Sequence, residues 1–553
     1  MTEAFSVHPP EKAPAQAPLA SLLQRLQRFC QEQAIECYLV GGSLRDLLLG
    51  RAPQDLDLVI PGDAAPVARR LADVLAGDFA ALGPEKAVWR VILPATFSGK
   101  LFIDVATLRG RDITDDLRRR DFTINALALR LEELPALEAS ALAELLTHQE
   151  QQARALLIDP VDGWNDLRNR CLRVAQETVF QDDPLRLLRA IRLSQTHQLL
   201  ITPSTASLMR RDAPLLRLAA PERIRDELRQ MLRLPHAVEA ARVLDEYRLF
   251  PAIFPNLYGH DDNTPATLTT QQPTRNDWGT LASTSKLIRA WQGKDVSFSS
   301  SEQPIVAYDL QISYKREFRN RWKKSPGRSY PRSILFSLAA VLSDLLQADA
   351  QAEARLVDNR ATAYTTERLQ AISTDLKRLA WGHQAVAFII SLLQEYGFAW
   401  ELERQPDPAH NTPWRAARHY FQRFGERGVD LALFCLICQI AHLRGASPDI
   451  LWQARAQTII ALIDAYYQQR EALMPPLLID GETIKTSLGL TNGPQIGAVL
   501  AQARYAQLDD LIQTREEALQ FIADQVSKRD IPGAAEDRKA AQANSPPEKL
   551  PGE

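Results

Sequence analysis

Long hydrophobic runs and cysteines are both scarce in this 553-residue sequence. No apolar run approaches about 18 residues, which excludes a transmembrane helix, and no basic stretch followed by an apolar one marks a signal peptide at the start. Five cysteines are too few for a disulfide framework in a chain of this length. An excess of one charge is also missing, because 65 Lys and Arg face 68 Asp and Glu. This balance excludes a uniformly basic nucleic-acid binder but not a local basic groove. We expect a soluble cytoplasmic protein of several domains.

Strand-like segments occur only early in the chain. They are short, rich in Val, Ile and Leu, and bounded by Gly, Pro or charged residues. These segments are Cys37–Val40, Leu56–Ile60, Trp89–Leu93 and Leu101–Ala106, with a helical pattern at Ala65–Ala76. From about residue 165 onward apolar residues recur at helical spacing. The sequence therefore predicts a mixed α and β region of about 150 residues, followed by helices.

Residues 38–60, YLVGGSLRDLLLGRAPQDLDLVI, contain the most informative pattern. Gly41 and Gly42 end one strand, and glycine allows the backbone to approach a phosphate closely. In the next strand, alternation places Asp55 and Asp57 on one face. Two neighbouring carboxylates repel each other unless a cation lies between them, and Mg²⁺ is bound by one or two carboxylates together with substrate phosphates. The alternative is an exposed strand edge with two solvated acids.

A further acid, Asp104, interrupts the apolar strand Phe102-Ile103-Asp104-Val105-Ala106. A polar side chain in such a strand needs a partner. It is either a third acid near the metal ions or a salt-bridged acid of the core.

Four more motifs follow the glycine pair and the Asp-x-Asp pattern in order. They are Arg119-Arg120-Asp121-Phe122-Thr123-Ile124-Asn125-Ala126; Asp159-Pro160 with Gly163, Asp166-Leu167 and Leu172-Arg173; Asp182-Asp183-Pro184-Leu185-Arg186-Leu187-Leu188-Arg189; and Pro221-Glu222-Arg223-Ile224 with Glu227. Over residues 36–256 the chain resembles the nucleotidyltransferase superfamily, specifically the class II tRNA nucleotidyltransferases and bacterial poly(A) polymerases. The resemblance implies an α+β fold, with a nucleotidyltransferase head of small mixed β-sheet and helices followed by an all-helical neck, body and tail.

The resemblance also implies a reaction, the template-independent addition of C and A to the 3′ end of tRNA from CTP and ATP. In-line attack of a hydroxyl on an α-phosphate needs positioning and charge neutralisation, and two metal ions can bind the attacking and leaving oxygens. Asp55 and Asp57 would hold Mg²⁺, with Asp104 as a third catalytic acid. The nucleotide-binding residues implied are Gly41, Gly42, Arg45, Arg120, Asp121, Asn125, Asp183, Arg186 and Arg189.

The resemblance assigns roles to some of these residues. Arg120 and Asn125 would contact the triphosphate and the ribose. Asp183 and Arg186 are three residues apart, so we expect them to share a helix face and to pair with the edge of the incoming base. Their alternative is an intrahelical salt bridge. Arg189 would support either Asp183 or the base.

The domain boundaries follow from these motifs and from composition. We predict a disordered N-terminus (1–18), a nucleotidyltransferase head (19–150), a helical neck (151–258), a polar insertion with a basic segment (259–332), a helical body (333–470), an RNA-binding tail (471–526) and a disordered C-terminus (527–553).

The body resembles an HD phosphohydrolase domain that lacks its metal ligands. Leu335–Leu346 resembles the metal-ligand helix, but Ser343 stands before Asp344 where a histidine is expected. Serine is a poor ligand for a transition metal. We therefore expect a helical scaffold without hydrolase activity.

Three other patterns have both functional and structural interpretations. Residues 314–332 contain eight Lys or Arg and four aromatic residues, which suits either RNA contact or a solvated helix face with its own core stripe. Gly493–Gly497 and Thr514–Ala518 resemble the part of the tail that grips RNA, although the first is equally a helix-starting turn. Cys435 and Cys438 lie in an apolar helix without a second ligand pair, so we interpret them as buried thiols.

The motifs do not separate the family's products. Residues 108–117 join a strand to the second motif directly, whereas many full CCA-adding members have a longer flexible loop there. We interpret the chain as a tRNA 3′-end nucleotidyltransferase, with a poly(A) polymerase as the second interpretation and CC-only or A-only addition left open. A catalytically silent RNA-binding protein is the non-enzymatic alternative. A phosphohydrolase is the third, and the missing histidines argue against it.

Overall fold

The computed structural model describes most of the chain in two compact units. The described residues are 16–82, 87–94, 101–133, 154–259, 278–291, 315–326, 330–353, 364–401, 413–443, 449–488 and 493–528. One unit comprises residues 1–274 with 378–380, and the other comprises residues 275–377 with 381–553. Most of the predicted disordered ends and much of the polar insertion lie outside the described residues, whereas residues 16–18 and 527–528 of those ends belong to helices. Among those described, no helix is long and apolar enough to cross a membrane.

A seven-stranded mixed sheet forms the centre of the first unit, in the order β3-β4-β5-β2-β1-β6-β7. Its strands are β1 Tyr38–Val40, β2 Asp55–Ile60, β3 Asp78–Ala81, β4 Val88–Ile92, β5 Phe102–Thr107, β6 Ala128–Arg130 and β7 Leu157–Ile158. Only the central β2–β5 pair is parallel, and every other neighbouring pair is antiparallel. The predicted α+β head with a small mixed sheet is confirmed.

The four predicted strands are present, each within one residue of its predicted ends. Three further strands, β3, β6 and β7, were missed. β3 has the sequence DFAA and is mostly exposed, so it lacks the apolar alternation of a half-buried strand. β6 and β7 contain three and two residues, which is too short for any periodicity to appear.

Helices surround this sheet and continue along the first unit. They are α1 Gln16–Glu32, α2 Gly41–Leu48, α3 Ala64–Leu75, α4 Ile113–Arg118, α5 Gly163–Arg168, α6 Val179–Asp182, α7 Arg186–His197, α8 Pro203–Asp212, α9 Pro221–Met231, α10 Ala237–Glu246 and α11 Phe250–Ile253. Short 3₁₀ turns lie at Thr123–Asn125, Leu131–Glu133 and Ala213–Leu218. The prediction that residues beyond 165 are wholly helical needs a small correction, because Cys171–Leu172 (β8) and Leu200–Ile201 (β9) pair in parallel.

The second unit is helical throughout its described residues. Its helices are α12 Gly279–Trp291, α13 Lys315–Lys323, α14 Arg332–Glu353, α15 Thr366–Arg378, α16 His383–Glu395, α17 Phe398–Glu401, α18 Pro413–Phe424, α19 Arg427–His442, α20 Ile450–Gln468, α21 Arg470–Leu473, α22 Gly481–Leu488, α23 Gly493–Leu508 and α24 Arg515–Lys528. Helix α12 lies inside the segment that was predicted as a polar insertion. Its buried face includes Thr280, Ser283 and Thr284 beside Leu281 and Leu287, and these small polar residues conceal the helical pattern.

The two positions that resemble an HD metal helix make structural contacts. The buried Ser343 hydroxyl lies 2.8 Å from the Tyr364 hydroxyl. The Asp344 carboxylate accepts the backbone N–H groups of Thr280 at 3.0 Å and Leu281 at 2.9 Å, and so caps the start of α12. No group of three His, Cys, Asp or Glu side chains within the described ranges is arranged to hold a metal ion. Both side chains therefore have a place in the packing of the body.

The basic segment is partly buried. Arg321 donates to Asp430 through two nitrogens at 2.8 Å each, and Arg332 donates to the same carboxylate at 3.2 Å. Trp322 is buried with its ring edge against Phe336. Trp322 therefore fits the alternative of a helix face with its own core stripe, because its ring belongs to the core. Arg316, Lys323 and Lys324 remain on the surface, and RNA contact through these residues stays a prediction.

Two other sequence patterns also have structural roles. The thiols of Cys435 and Cys438 are buried in α19, which confirms their interpretation as buried thiols. At the start of α24, the Glu517 carboxylate accepts the Gln513 and Thr514 N–H groups, and the Thr514 hydroxyl accepts the Glu517 N–H. This reciprocal arrangement is a capping box, which alone accounts for the Thr-x-x-Glu pattern.

Replacing Asp430 by Asn should destabilise the protein strongly. The carboxylate is 1% exposed and carries the charge opposite to both Arg321 and Arg332, so the substitution leaves two poorly solvated cations. We expect a loss of about 3–5 kcal/mol in the free energy of unfolding, measured by urea denaturation. Asp510→Asn is the matched control, because Asp510 is 62% exposed in its pair with Arg418. We expect this substitution to lower the free energy of unfolding by less than about 1 kcal/mol. If the two substitutions lowered the free energy of unfolding equally, the interpretation of Asp430, Arg321 and Arg332 as a buried charge cluster would be wrong.

His197, the last residue of α7, connects that helix to the region after α2. Arg51 Nη1 lies 2.8 Å from His197 Nδ1 and donates to the Thr196 carbonyl at 3.1 Å. Since arginine can only donate, Nδ1 must accept, and the ring is neutral. Burial and the charges of nearby arginines lower the pKa of His197 to about 3.

The neutral His197 should make the protein less stable as pH falls. The unfolded chain takes up a proton near pH 6.5 and the folded chain does not, so stability is lost from about pH 6.5 downward. Between pH 7 and pH 5 this amounts to about 2 kcal/mol. His197→Gln, which keeps an acceptor for Arg51, should show a pH dependence of unfolding smaller by that amount. The exposed His236→Gln should behave like the wild type, and a His197→Gln protein with unchanged pH dependence would refute the buried neutral state.

Candidate active site

Charged side chains from three adjacent strands form a row across one face of the sheet. Asp57 of β2 is in register with Asp104 of β5, and Asp104 is in register with Arg90 of β4. Asp55, two positions before Asp57, shares its face, while Leu56 and Leu58 are buried on the other. The predicted alternation is therefore correct.

Asp104 combines features of its two predicted interpretations. Arg90 donates Nε and Nη2 to the two Asp104 oxygens, each at 2.7 Å, which is the salt-bridged arrangement. Asp104 also lines the same cleft as Asp57, and its charge raises the pKa of both Asp55 and Asp57. Its carboxylate thus belongs electrostatically to the acidic group while its orientation is fixed by Arg90.

The acidic group is short of positive charge. Burial and the neighbouring charges of Asp55 and Asp104 raise the pKa of Asp57 to about 6, even though Arg120 and a backbone hydrogen bond from Ser43 oppose the shift. Burial and Asp104 also raise the pKa of Asp55. Since oxygen ligands of this kind suit a hard divalent cation, Asp55 and Asp57 fit a metal ion that also binds substrate phosphates.

The glycine pair brings the start of α2 against these acids. Gly41 has a φ of +70°, and a Cβ at this position would lie 3.1 Å from both Asp57 Oδ2 and Arg120 Nη1. Any side chain would therefore crowd the acid and the arginine. Ser43 fastens the same turn to β2, because its hydroxyl donates to the Val40 carbonyl at 2.8 Å and accepts the Asp57 N–H at 3.0 Å. Ser43 was not among the predicted site residues.

Arg120 is oriented by a carboxylate that the sequence analysis also missed. Its Nε and Nη2 both donate to Asp116 Oδ2, at 3.1 and 2.9 Å. Nη1 lies near the position that a Gly41 side chain would occupy. Asp116 is nearly buried and lies one helical turn before Arg120, an i,i+4 spacing that the sequence does show.

A chain of hydrogen bonds, buried from Arg45 to Asp121 and exposed at Arg189, links the first two motifs to α7. Arg45 Nη1 donates to the Asn125 carbonyl oxygen at 2.6 Å, and Asn125 Nδ2 donates to Asp121 Oδ1 at 2.9 Å. Arg189 Nε lies 2.7 Å from Asp121 Oδ2. Burial favours the neutral acid, but the charge of Arg189 and the hydrogen bonds from Asn125 and the Phe122 N–H together lower the pKa of Asp121.

Asp183 and Arg186 were predicted to share a helix face, and this prediction is wrong. Asp183 has an extended backbone, with φ −148° and ψ 99°, and α7 begins at Arg186. The reason is Pro184, since a residue before proline is sterically disfavoured in the α region. No ion pair joins the two. Instead, Arg186 donates to the Val179 carbonyl at 3.2 Å, and Asp183 pairs with Arg223 of α9 at 2.8 Å.

An open cleft of about 370 Å³ brings most of the predicted residues together. Ten of them line it: Gly41, Gly42, Asp57, Asp104, Arg120, Asp121, Asn125, Asp183, Arg186 and Arg189. Asp55 and Arg45 are not part of the lining. The cleft also contains four charged residues that were not predicted as site residues: Arg109, Asp116, Arg119 and Arg223.

The short connection between β5 and α4 is fastened at several points. The Leu108 N–H donates to the Ile60 carbonyl at 2.8 Å, the Arg109 N–H to Asp116 Oδ1 at 2.9 Å, and the Arg111 N–H to Asp115 Oδ2 at 3.2 Å. The Asp112 side chain caps α4 by accepting the Asp115 N–H at 2.8 Å. This wall of the cleft is therefore fixed by its own hydrogen bonds.

Comparison with known proteins agrees with this geometry. A family model described as the poly A polymerase head domain matches residues 37–173, and another, described as the probable RNA and SrmB-binding site of polymerase A, matches residues 199–259. The CC-adding tRNA nucleotidyltransferase of Geobacter sulfurreducens is 29% identical over 92% of this chain and 95% of its own. The A-adding tRNA nucleotidyltransferase of Deinococcus radiodurans is 28% identical over 88% of this chain and 94% of its own.

A solved structure shares the fold. The complex of a CCA-adding enzyme with ATP has a TM-score of 0.54 at 21% identity, and the match covers 92% of this chain and 95% of that one. The resemblance inferred from the five sequence motifs is confirmed. Along nearly its whole length the chain is therefore similar to tRNA nucleotidyltransferases, and two of its segments match the head domain and the RNA-binding site described for poly A polymerase.

Proposed function

We propose that this protein is a metal-dependent nucleotidyltransferase that adds C, A or both to the 3′ end of tRNA from CTP and ATP, with release of pyrophosphate. The observation that carries the proposal is the cleft itself. Asp57, Asp104 and Arg120 lie in its lining together with Asp183 and Arg186. Asp57, Asp104 and Arg120 suit the reacting phosphates, and Asp183 and Arg186 suit the edge of a base.

The phosphate side of the cleft supplies charge and position. Asp55 and Asp57 would hold Mg²⁺, which when bound neutralises phosphate charge and activates the attacking hydroxyl. Arg120, fixed by Asp116 through one edge, keeps Nη1 for a triphosphate oxygen. Asn125 accepts from Arg45 and donates one amide hydrogen to Asp121, which fixes its side chain and leaves its second amide hydrogen for the ribose.

The base side of the cleft replaces a nucleic-acid template. The Asp183 carboxylate accepts from the amino group of cytosine or adenine, and Arg186 donates to the neighbouring ring nitrogen. Uracil and guanine present a carbonyl oxygen where cytosine and adenine present the amino group. This oxygen would face the Asp183 carboxylate, and because both groups are acceptors no hydrogen bond forms between them. A fixed acceptor and donor therefore select C and A.

The product is best described as part or all of CCA. The fastened connection between β5 and α4 leaves little room for the loop movement expected when one enzyme changes from C to A. This favours CC-only or A-only addition, the activities named for the two relatives that match over nearly their whole length. A poly(A) polymerase remains the second candidate because the head-domain model carries that description.

Primer extension on tRNA transcripts tests this function. Transcripts that lack A, CA or CCA receive CTP, ATP or both with Mg²⁺, and products are sized by gel electrophoresis. We expect addition that stops within the CCA sequence, at CC or after A on a CC end. Asp55→Ala/Asp57→Ala should abolish extension, with a loss of at least about 10³-fold, because the metal ligands are gone.

The remaining outcomes separate the alternatives. Complete CCA would show that the short connection does not limit the product. Long ATP-dependent tails on any RNA would favour the poly(A) polymerase. RNA binding without extension under any condition would leave a silent RNA-binding protein. An Asp226→Asn protein is the control for a charge change elsewhere in the same unit, since Asp226 is half exposed and absent from the cleft lining.

A further inference from the structure

Two ion pairs of opposite polarity join helix α9 to residues 183–192, the segment that contains Asp183 and Arg186. Arg223 donates Nη2 to Asp183 Oδ2 at 2.8 Å and Nη1 to Oδ1 at 3.3 Å. One turn further along α9, Glu227 accepts from Arg192 of α7 at 2.6 Å. The basic residue is therefore on α9 in the first pair and on α7 in the second. This opposite polarity fixes the register of α9 against the segment that contains Asp183, Arg186 and Arg192.

The two pairs differ in burial, and this separates their roles. The Arg192 and Glu227 side chains are 18% and 9% exposed, as expected of a pair that fastens packed helices. The Arg223 and Asp183 side chains are 49% and 28% exposed, and both residues line the cleft. A pair this exposed contributes little to stability. Its consequence is to orient a carboxylate in the cleft.

Counting acceptor positions shows what that orientation does. A carboxylate has about four lone-pair positions. For Asp183, Oδ1 accepts the Leu185 N–H at 3.2 Å and Arg223 Nη1, and Oδ2 accepts Arg223 Nη2. One position, on Oδ2, is left. A single remaining acceptor fits one amino hydrogen of cytosine or adenine.

We propose that Arg223 is a specificity-determining positioning residue, which acts through Asp183 by leaving this carboxylate one acceptor in a fixed direction. The inference rests on the proposed function. Without Arg223 the side chain of Asp183 rotates and its acceptors face in several directions. Its charge is then also free to attract other donors of a base, such as the ring N–H of uracil or guanine. Selection against UTP and GTP should weaken for that reason.

The test compares nucleotide discrimination in matched variants of the full chain. Arg223→Ala removes both hydrogen bonds, and Arg223→Lys keeps the charge without the two-pronged geometry. Arg242→Ala is the control, since Arg242 is 52% exposed and pairs with Glu239 on α10. The value of kcat/KM is measured for CTP against UTP, for ATP against GTP, or for both, according to which nucleotide the wild type adds, with a tRNA acceptor that the wild type extends.

The expected result is a loss of discrimination of about tenfold or more in both Arg223 variants, and none in Arg242→Ala. A general loss of structure would lower the rates with all four nucleotides together and leave their ratios unchanged. Asp183→Asn and the double variant Asp183→Asn/Arg223→Ala complete a cycle. If Arg223 acts through Asp183, the double variant discriminates no worse than Asp183→Asn alone.

Two results would overturn the inference while the proposed function stands. One is an Arg223→Ala enzyme that extends tRNA with unchanged discrimination. The other is a double variant whose losses multiply, because Arg223 would then contact the nucleotide independently of Asp183. A wild-type protein that extends no tRNA with any nucleotide would instead refute the proposed function, and the inference with it.

Discussion

Repulsion between carboxylates on adjacent strands is the constraint on which the active-site side of this molecule depends. The parallel register of β2 and β5 places Asp57 beside Asp104, and Asp55 is only two positions away. Such a group remains ionised only if positive charge surrounds it. Arg90 fixes Asp104 from one side, and Arg120 lies near Asp57 at the glycine turn. A bound metal ion, as we propose for the reaction, would add positive charge to this group.

The same logic extends to the other charged groups of the cleft. Asp116 orients Arg120, Asp121 bonds Asn125 and Arg189, and Arg223 orients Asp183. Polar groups that are fixed before the substrate arrives do not have to reorganise when charge develops, and this lowers the barrier. An enzyme that selects a base without a nucleic-acid template needs such fixed groups most. The ion pairs therefore serve position more than stability.

Local patterns made much of this site predictable from the sequence. Alternation in β2 placed Asp55 and Asp57 on one face, and the glycine pair marked a close backbone approach. The partners could not be predicted, because Arg90 meets Asp104 through an antiparallel register and Arg223 meets Asp183 from 40 residues away. The error at Asp183 was avoidable, since Pro184 already disfavours a helix there. The burial of Trp322 could not be decided from the sequence, because a basic surface helix and a core aromatic residue share one short segment.

The clearest link between fold and product lies at Asp116. Its Oδ1 accepts the Arg109 N–H of the short connection, and its Oδ2 accepts two nitrogens of Arg120. A single carboxylate thus joins the wall of the cleft to Arg120, the arginine that we propose contacts the triphosphate. If the connection moved to accommodate a second kind of base, Asp116 would move and Arg120 with it. The rigidity of the connection between β5 and α4 and the rigidity of the proposed phosphate site at Arg120 therefore depend on the same carboxylate. This coupling suits an enzyme whose cleft keeps one shape through its catalytic cycle.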